Sequence, residues 1–293
     1  MEGLIRIPTA HGRLAVYDSG PPDGPVVVLI HGITASALSF APLRRALSPT
    51  VRTLAVDLRG RGESADVPGP FGIETHVADL VGILDHLGIG QAVLVGHSMG
   101  AYVATLFARR HPDRTPHLVL VDGGFPIPAP DGMEPDAVIE AVVGPAITRL
   151  GMEFPSVEAY FDFWRAHPAV GPGWNADVEA YLRYDLVGTP PRLRSRVSVE
   201  AVRTDGRQLV TDPDLAGAIE TVSLPMHLLR AGRGLLDEPG GLIPEAMADA
   251  AAARIPRLTV THLPHLNHYT ILLGPGAVTV AAAIDAALGR LGP

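Results

Sequence analysis

The chain has 293 residues, of which 47% are hydrophobic and 18% charged, proportions typical of a folded globular protein with a sizeable core. Its formal net charge of −8 argues against nucleic acid or an anionic membrane as the main partner, because binding to either relies on clustered positive charge. The sequence contains no cysteine and no lysine, so disulfides, thiolate metal sites, a cysteine nucleophile and a Schiff-base lysine are excluded.

The sequence shows no segment typical of targeting or of membrane insertion. No stretch approaches the roughly 18 consecutive apolar residues that cross a bilayer. Residues 1–6 lack the basic start and apolar core of a signal peptide. We therefore expect a cytoplasmic protein without a membrane partner.

Strand and helix patterns alternate along most of the chain. Apolar runs and polar-apolar alternation predict strands, in chain order, at residues 4–7, 13–18, 26–30, 52–57, 92–95, 117–122, 227–230 and 258–262. Helices are predicted at residues 74–87, 101–108, 244–254 and 277–288. This rhythm predicts an α/β fold with a mostly parallel central sheet flanked by helices.

The pattern changes between the two halves of this sheet. After a proline-rich stretch, helices are predicted at residues 136–150, 157–167 and 176–187, with few strand signals. We therefore divide the chain into a first core part (residues 1–124), a helical insertion (residues 125–222) and a second core part (residues 223–293).

The insertion holds most of the chain's Phe, Tyr and Trp residues. One interpretation is an aromatic lid over a pocket for an apolar or aromatic small molecule, with Phe125, Tyr160 and Trp164 as substrate contacts. The alternative is that these side chains form a small core of the insertion's own.

Residues 96–100 read Gly-His-Ser-Met-Gly and join a strand-like apolar run to a helix-like one. A serine between two glycines at such a junction is the sequence form of a nucleophile elbow. Gly96 and Gly100 remove side chains that would collide where the strand and helix come close. We expect a sharp turn that presents Ser98, with the Met99 N–H at the helix N-terminus available to a developing oxyanion.

Other forms of catalysis find no support in the sequence. The histidines show no His-x-x-x-His spacing with a neighbouring glutamate, and no Gly-x-Gly-x-x-Gly turn joins an early strand to a helix. We therefore predict neither a metal nor an organic cofactor.

Four pieces together resemble the α/β-hydrolase superfamily, in its serine-nucleophile type with a helical cap. In chain order they are His31-Gly32 after a strand, residues 57–64 (Asp-Leu-Arg-Gly-Arg-Gly-Glu-Ser), the Ser98 elbow, and Asn267-His268-Tyr269. The resemblance covers almost the whole chain, and it implies that the insertion is a cap between the sixth and seventh strands of the core sheet.

A serine nucleophile needs a general base and an acid that orients the base. In this fold the chain order is serine, then acid, then histidine. Three late histidines compete for the role of base. The resemblance favours His268, which follows Asn267 and precedes an apolar run. His265 lies in a loop and is the second candidate, whereas His262 ends a predicted strand.

The acid has more than one candidate. Asp237 follows the predicted strand at 227–230 in a glycine-containing loop, which resembles the family's acid position after the seventh strand. Glu238 is adjacent, so a shift of one residue would exchange the two. Asp122, at the end of the sixth strand, is the rival because some relatives take their acid from that point. We predict Asp237.

The resemblance assigns the second oxyanion donor to the Ile33 backbone N–H. We interpret His31 and His97 as structural histidines that shape the site. Asp57 and the turn at residues 60–62 are better explained by turn chemistry than by a phosphate cradle.

These residues predict a two-step acyl transfer in which Ser98 forms an acyl-enzyme with a carboxylic ester of a small molecule. A serine at the elbow argues against haloalkane dehalogenase and epoxide hydrolase activity, because those members of the superfamily use aspartate there. The open alternatives are carbon-carbon bond hydrolysis, lactonase, amidase or aminopeptidase activity, cofactor-free perhydrolase or haloperoxidase activity and, from another class, a ligand receptor. The sequence does not indicate an oligomeric state.

Overall fold

The computed structural model describes residues 3–127 and 133–289, and ten strands lie within them. The strands are β1 (Leu4–Thr9), β2 (Gly12–Ser19), β3 (Val26–Ile30), β4 (Arg52–Val56), β5 (Val93–His97), β6 (Leu118–Val121), β7 (Leu186–Thr189), β8 (Arg192–Ser195), β9 (Met226–Arg233) and β10 (Leu258–Asn267). Eight of them form one sheet in the order β1-β2-β4-β3-β5-β6-β9-β10. The first two pairings are antiparallel and the remaining ones parallel, which confirms the predicted mostly parallel sheet.

Helices cover both faces of the sheet. The α-helices are α1 (Ala41–Ala46), α2 (Ile73–His86), α3 (Met99–Arg110), α4 (Pro135–Leu150), α5 (Val157–Arg165), α6 (Ala176–Asp185), α7 (Val199–Thr211), α8 (Pro213–Ala216), α9 (Ala218–Thr221), α10 (Glu245–Arg254), α11 (Thr270–Leu273) and α12 (Gly276–Gly289). One core cluster includes residues of α2, α3 and α10, and the other includes residues of α1, α11 and α12. Because β3, β5 and β6 are covered on both sides, they consist of continuous apolar runs rather than alternating ones.

Between β6 and β9 lies an inserted segment, of which residues 125–127 and 133–222 are described. It contains α4 to α9 and the two-stranded antiparallel hairpin β7-β8. The three helices expected there are present as α4, α5 and α6. The hairpin and α7 were not expected. The predicted helix at 176–187 ends at Asp185, and the chain continues directly into β7.

The aromatic residues of the inserted segment pack mainly against one another. Phe154, Tyr160, Phe161 and Trp164 belong to one buried cluster, and Tyr269 from the segment after β10 packs against it. Edge-to-face ring pairs hold it together, including Phe154 with Tyr160 at 4.8 Å between ring centroids. These aromatic side chains therefore form a small core of the inserted segment, which is the second of the two interpretations of the sequence.

Close packing of β5 and α3 constrains their glycines, and a substitution measures that constraint. A Cβ on Gly100 would lie 2.0 Å from the Ile30 carbonyl oxygen, so Gly100→Ala should lower the free energy of unfolding by about 1–3 kcal/mol through overpacking. Gly82, in α2, has no atom within 4 Å of its built Cβ. Gly82→Ala should therefore be neutral or stabilising by up to about 1 kcal/mol. Urea unfolding measures both, and equal midpoints for the two variants would contradict the packing described.

Candidate active site

Ser98 lies at a sharp turn between β5 and α3. β5 ends at His97, α3 begins at Met99, and Ser98 between them has φ 54° and ψ −120°. A non-glycine residue with positive φ is uncommon, and such strained conformations cluster at functional sites. The side chain of Ser98 is partly exposed while both neighbours are buried. The turn predicted from the glycine pattern is therefore present, and it presents the hydroxyl.

Three glycines allow the backbone to close around this serine. A Cβ on Gly96 would lie 2.2 Å from the Gly100 carbonyl oxygen, and one on Gly123 would lie 2.2 Å from the Ser98 carbonyl oxygen. A Cβ on Gly32 would lie 3.1 Å from Ser98 Cβ and 3.5 Å from its Oγ. The loop after β3 thus packs directly against the serine, and Ile33 follows Gly32 in that loop.

The register of the parallel strands places a carboxylate beside Ser98. His97 pairs with Val121 across β5 and β6, so the next residue on each strand, Ser98 and Asp122, leaves the sheet at the same edge. Asp122 also has positive φ, at 46°, and is fully buried.

The ring of His268 donates to this buried carboxylate. The distance from His268 Nδ1 to Asp122 Oδ2 is 2.7 Å, and Asp122 Oδ1 accepts the Ala231 N–H at 3.1 Å. An ionised carboxylate can only accept a hydrogen bond, so the proton of the neutral ring lies on Nδ1 and Nε2 is the nitrogen with the free lone pair.

Asp237, predicted as the partner of His268, is bound elsewhere. Its carboxylate pairs with Arg233 Nε at 2.9 Å and accepts Asn267 Nδ2 at 3.0 Å, and these contacts lower its pKa. The prediction of Asp237 at the ring of His268 is thus wrong for this structure, and the rival Asp122 takes that place. The physical reason is the course of β9, which continues to Arg233 and carries the following loop to that arginine.

Asn267 organises the turn that carries His268. In the sequence it is only part of the motif around that histidine. Its Oδ1 accepts the backbone N–H groups of Tyr269 and Thr270, and its Nδ2 also donates to the Ala169 carbonyl at 3.0 Å. Asparagine readily bonds backbone groups two residues on, so its position before His268 was the available signal. Through Asn267, Asp237 supports this turn at one remove.

His97 also holds the turn. Its Nε2 donates to the His268 carbonyl oxygen at 3.0 Å, and the two rings lie 4.6 Å apart between centroids. Burial lowers the pKa of His97 well below its usual range, so the ring is neutral. His265, by contrast, is exposed, and His262 pairs with Asp249 at 2.9 Å.

His31 fixes the loop beside Ser98. One ring nitrogen, Nδ1, bonds the Gly32 carbonyl at 2.7 Å, and the other, Nε2, accepts the Leu58 N–H at 3.0 Å. These two contacts require the neutral ring with its proton on Nδ1. Full burial lowers the pKa of His31 to about 3, with a smaller opposing contribution from the bond to Gly32.

The three predicted substrate contacts have different surroundings. Tyr160 is fully buried and donates to Asp185 Oδ2 at 2.5 Å, and Phe125 is buried in the main core, so neither presents a surface to a substrate here. Trp164 is also largely buried, but its ring lies 6.3 Å from that of Tyr269, the neighbour of His268. Of the three, only Trp164 is shown in ring contact with the histidine turn.

Within residues 3–127 and 133–289, no three His, Asp or Glu side chains are grouped so as to hold a metal ion. Across the same residues, no helix combines the length and apolar character needed to cross a membrane.

The buried neutral His31 predicts a loss of stability in acid. Its pKa of about 3 lies below the unfolded value of 6.5, so the unfolded chain binds the proton first as the pH falls. Stability from this group is present above pH 6.5 and is lost below it, by about 2 kcal/mol at pH 5.

The glutamine variant tests this dependence. The side-chain oxygen of His31→Gln can accept the Leu58 N–H without titrating, so the variant should be less stable at pH 7 but lose about 2 kcal/mol less between pH 7 and pH 5. Urea unfolding at both pH values measures the difference. An unchanged pH slope would show that His31 does not contribute.

The chain is similar to known proteins over most of its length. A family model described as the alpha/beta hydrolase fold matches residues 25–214. 2-(Acetamidomethylene)succinate hydrolase of Mesorhizobium japonicum is 29% identical over 264 residues, which cover 90% of this chain and 88% of that protein. Epoxide hydrolase B of Mycobacterium tuberculosis is 33% identical over 239 residues, which cover 79% of this chain and 63% of that protein.

A solved structure agrees with the sequence relatives. The crystal structure of E-2-(acetamidomethylene)succinate hydrolase matches with a TM-score of 0.79 and 25% identity, over 96% of this chain and 97% of that one. The family model covers more than half of the sequence. The chain therefore belongs to the alpha/beta hydrolase fold family and is a hydrolase acting on small molecules.

Proposed function

We propose that the protein is a serine hydrolase that cleaves a carboxylic ester through an acyl-enzyme on Ser98, with His268 as the base and Asp122 as the acid. The observation that carries this proposal is the hydrogen bond of 2.7 Å between His268 Nδ1 and Asp122, at the sheet edge where the strained Ser98 turn lies. Nucleophile, base and orienting acid are the three groups that acyl transfer to serine requires.

In the proposed reaction, His268 Nε2 accepts the Ser98 hydroxyl proton while Oγ attacks the carbonyl carbon. His268 then donates that proton to the leaving alcohol as the bond between carbonyl carbon and leaving oxygen breaks. A water molecule, deprotonated by the same ring, attacks the acyl-enzyme and releases the acid and Ser98. Asp122 stabilises the imidazolium that forms in each half.

The oxyanion would be held by two backbone N–H groups. Met99 is the first residue of α3, and the first N–H groups of a helix have no partner within the helix. Ile33 follows Gly32, whose closeness to Ser98 brings the loop after β3 to the serine. Met99 is buried and Ile33 is half-buried, and oxyanion stabilisation requires such donors to be held in place before the reaction.

We interpret the inserted segment as a cap, with core parts at residues 1–124 and 223–293 and the cap at 125–222. Support comes from the aromatic cluster, which packs against Leu273 and Tyr269 just after His268. Trp164 is the substrate contact we retain, since Tyr160 and Phe125 are engaged in packing. An apolar cap lowers the local dielectric, which strengthens the interactions of a developing oxyanion.

The nature of the bond cleaved follows from the nucleophile and from the relatives. Ser98 occupies the place where epoxide hydrolases carry aspartate, so the resemblance to epoxide hydrolase B extends to the fold and not to its reaction. An ester is the simplest substrate for serine acylation. Lactone, carbon-carbon and peracid chemistry would use the same three residues.

A second candidate is an amide bond in an anionic substrate. It is favoured by the similarity over 90% of the chain to a hydrolase whose named substrate carries acetamido and succinate groups. Matched esters and amides, each with and without a carboxylate, distinguish the two candidates by their kcat/KM.

Ser98→Ala should abolish covalent labelling by a fluorophosphonate probe and lower hydrolysis of p-nitrophenyl acetate by at least about a thousandfold, because no other group replaces the nucleophile. Intact-protein mass spectrometry measures the label and absorbance measures the product. His265→Gln, which changes an exposed histidine close to His268 in sequence, is the control and should be labelled like the wild type. Labelling of Ser98→Ala at another residue would refute the assignment.

The choice of acid is tested by two matched amides. Asp122→Asn should lower kcat/KM about a thousandfold to ten-thousandfold, because the amide favours the wrong tautomer of His268 and does not stabilise its cation. Asp237→Asn should cost less than about tenfold, since that carboxylate reaches the histidine only through Asn267. Steady-state kinetics at pH 8 measures both. A larger loss in Asp237→Asn would return the acid to the loop after β9.

A further inference from the structure

Residues 57–64, which we call the 57–64 loop, connect the core to the inserted segment. On the core side, Asp57 Oδ1 accepts the Ala37 N–H at 2.8 Å and the Leu58 N–H donates to His31 at 3.0 Å. Both contacts lie at the loop after β3, which carries Ile33. The 57–64 loop therefore supports the backbone that we assign to the oxyanion site.

The same loop receives the inserted segment. The Ser198 N–H, at the start of α7, donates to the Gly60 carbonyl at 2.8 Å, and Arg196 pairs with Glu63 at 2.6 Å. A Cβ on Gly60, which has φ 73°, would lie 2.8 Å from the Cβ of Ala201. The glycine turn predicted here thus leaves room for α7 to dock closely.

One side chain of the loop touches both sides. Arg61 is fully buried, and its Nε donates to the Ile33 carbonyl at 3.0 Å while its Nη1 pairs with Asp205 Oδ2 of α7 at 2.7 Å. Nη1 also donates to the Arg59 carbonyl at 2.9 Å. A guanidinium is planar and rigid, so fixing one nitrogen fixes the direction of the others.

Asp205 lies in a buried cluster with Arg61 and His76. It is fully buried, and its Oδ2 also lies 2.9 Å from His76 Nε2 of α2. Burial alone would raise the pKa of Asp205, but Arg61 and His76 bring it down to about 2, so the carboxylate stays ionised. Among the described residues, Arg61 Nη2, His76 Nδ1 and Asp205 Oδ1 have no hydrogen-bond partner. The Arg61 position thus depends on a small number of bonds.

We infer that Arg61 is a positioning residue for the oxyanion site, held in place by Asp205, so that docking of α7 and stabilisation of the transition state are coupled. This inference rests on the proposed function. An N–H must lie about 2.7–3.1 Å from the oxyanion to stabilise it. When Asp205 releases the guanidinium, the Ile33 carbonyl loses its donor. The Ile33 N–H belongs to the preceding peptide unit, which His31 holds through the Gly32 carbonyl, so the N–H loses the anchor on its C-terminal side and shifts from its position.

Asp205→Asn tests the coupling, with Asp79→Asn as the matched control. Asp79 forms a buried pair with Arg59 of the same loop, at 2.5 Å. The Arg59 side chain also donates to Thr9 and to the Pro68 carbonyl, and none of these three partners belongs to α7 or to the loop after β3. Asp205→Asn should lower kcat for p-nitrophenyl acetate about 10- to 100-fold. Its KM should stay within about threefold, because ground-state binding uses other groups. Asp79→Asn should change kcat by less than about threefold.

A transition-state analogue separates positioning from general damage. A boronic acid forms a tetrahedral adduct with a catalytic serine, so its Ki in Asp205→Asn should rise by the same factor by which kcat/KM falls. Where Asp205→Asn does not fold, Arg61→Met/Asp205→Leu replaces the buried pair with apolar side chains, a change that proteins often tolerate. This double variant should fold, as judged by circular dichroism, and show the same loss of kcat.

A measurement without catalysis distinguishes this inference from the proposed function. Amide hydrogen exchange in a peptide covering residues 32–35 should be faster in Asp205→Asn than in the wild type and in Asp79→Asn. Equal exchange in all three proteins, equal kinetic losses in both single variants, or an effect on KM alone would overturn the coupling. Absence of a fluorophosphonate label on wild-type Ser98 would overturn the proposed function, and the exchange comparison would still decide whether Asp205 fixes the loop.

Discussion

The hydrogen bond between His268 and Asp122 joins positions 146 residues apart and brings an imidazole to the sheet edge at which Ser98 lies. The register of β5 and β6 brings Ser98 and Asp122 to one edge of the sheet. These two side chains alone lack the imidazole that His268 adds. Asp122 is fully buried, and an unpaired buried carboxylate is costly, so the ring and the Ala231 N–H satisfy it. The same bond therefore stabilises the fold and orients the ring.

Sequence patterns predicted the strands and the Ser98 turn well because both are local. Buried parallel strands consist of apolar runs, and the elbow needs small residues at fixed offsets. The acid was not local. Asp122 and Asp237 each follow a strand in the sequence, so the pattern of strands does not tell them apart. In the structure both have positive φ, 46° and 63°. Which of them meets His268 depends on the path of the chain after β9, where Arg233 and Asn267 bind the Asp237 carboxylate.

Two elements of the inserted segment were missed for a physical reason. α7 carries Asp205 and Gly206 on its buried side, so its apolar stripe is interrupted where an apolar residue is expected. That aspartate is buried only because Arg61 and His76, distant in sequence, pair with it. The hairpin β7-β8 has four residues in each strand and few buried side chains, which leaves little periodicity to recognise. Local sequence patterns do not predict the burial of a residue that is paired with a partner distant in sequence.

The charges around Ser98 also explain why Asp122 suits the proposed role and Asp237 does not. His31 and His97 are buried and neutral, so they shape the loops without opposing a positive charge on His268. When His268 takes the serine proton, its cation needs a carboxylate whose charge is not already neutralised. Asp122 receives an N–H and the ring itself, whereas Asp237 is paired with Arg233. The Asp237 carboxylate is paired with a guanidinium and is one-third exposed to water, so it would contribute little to stabilising an imidazolium charge on His268.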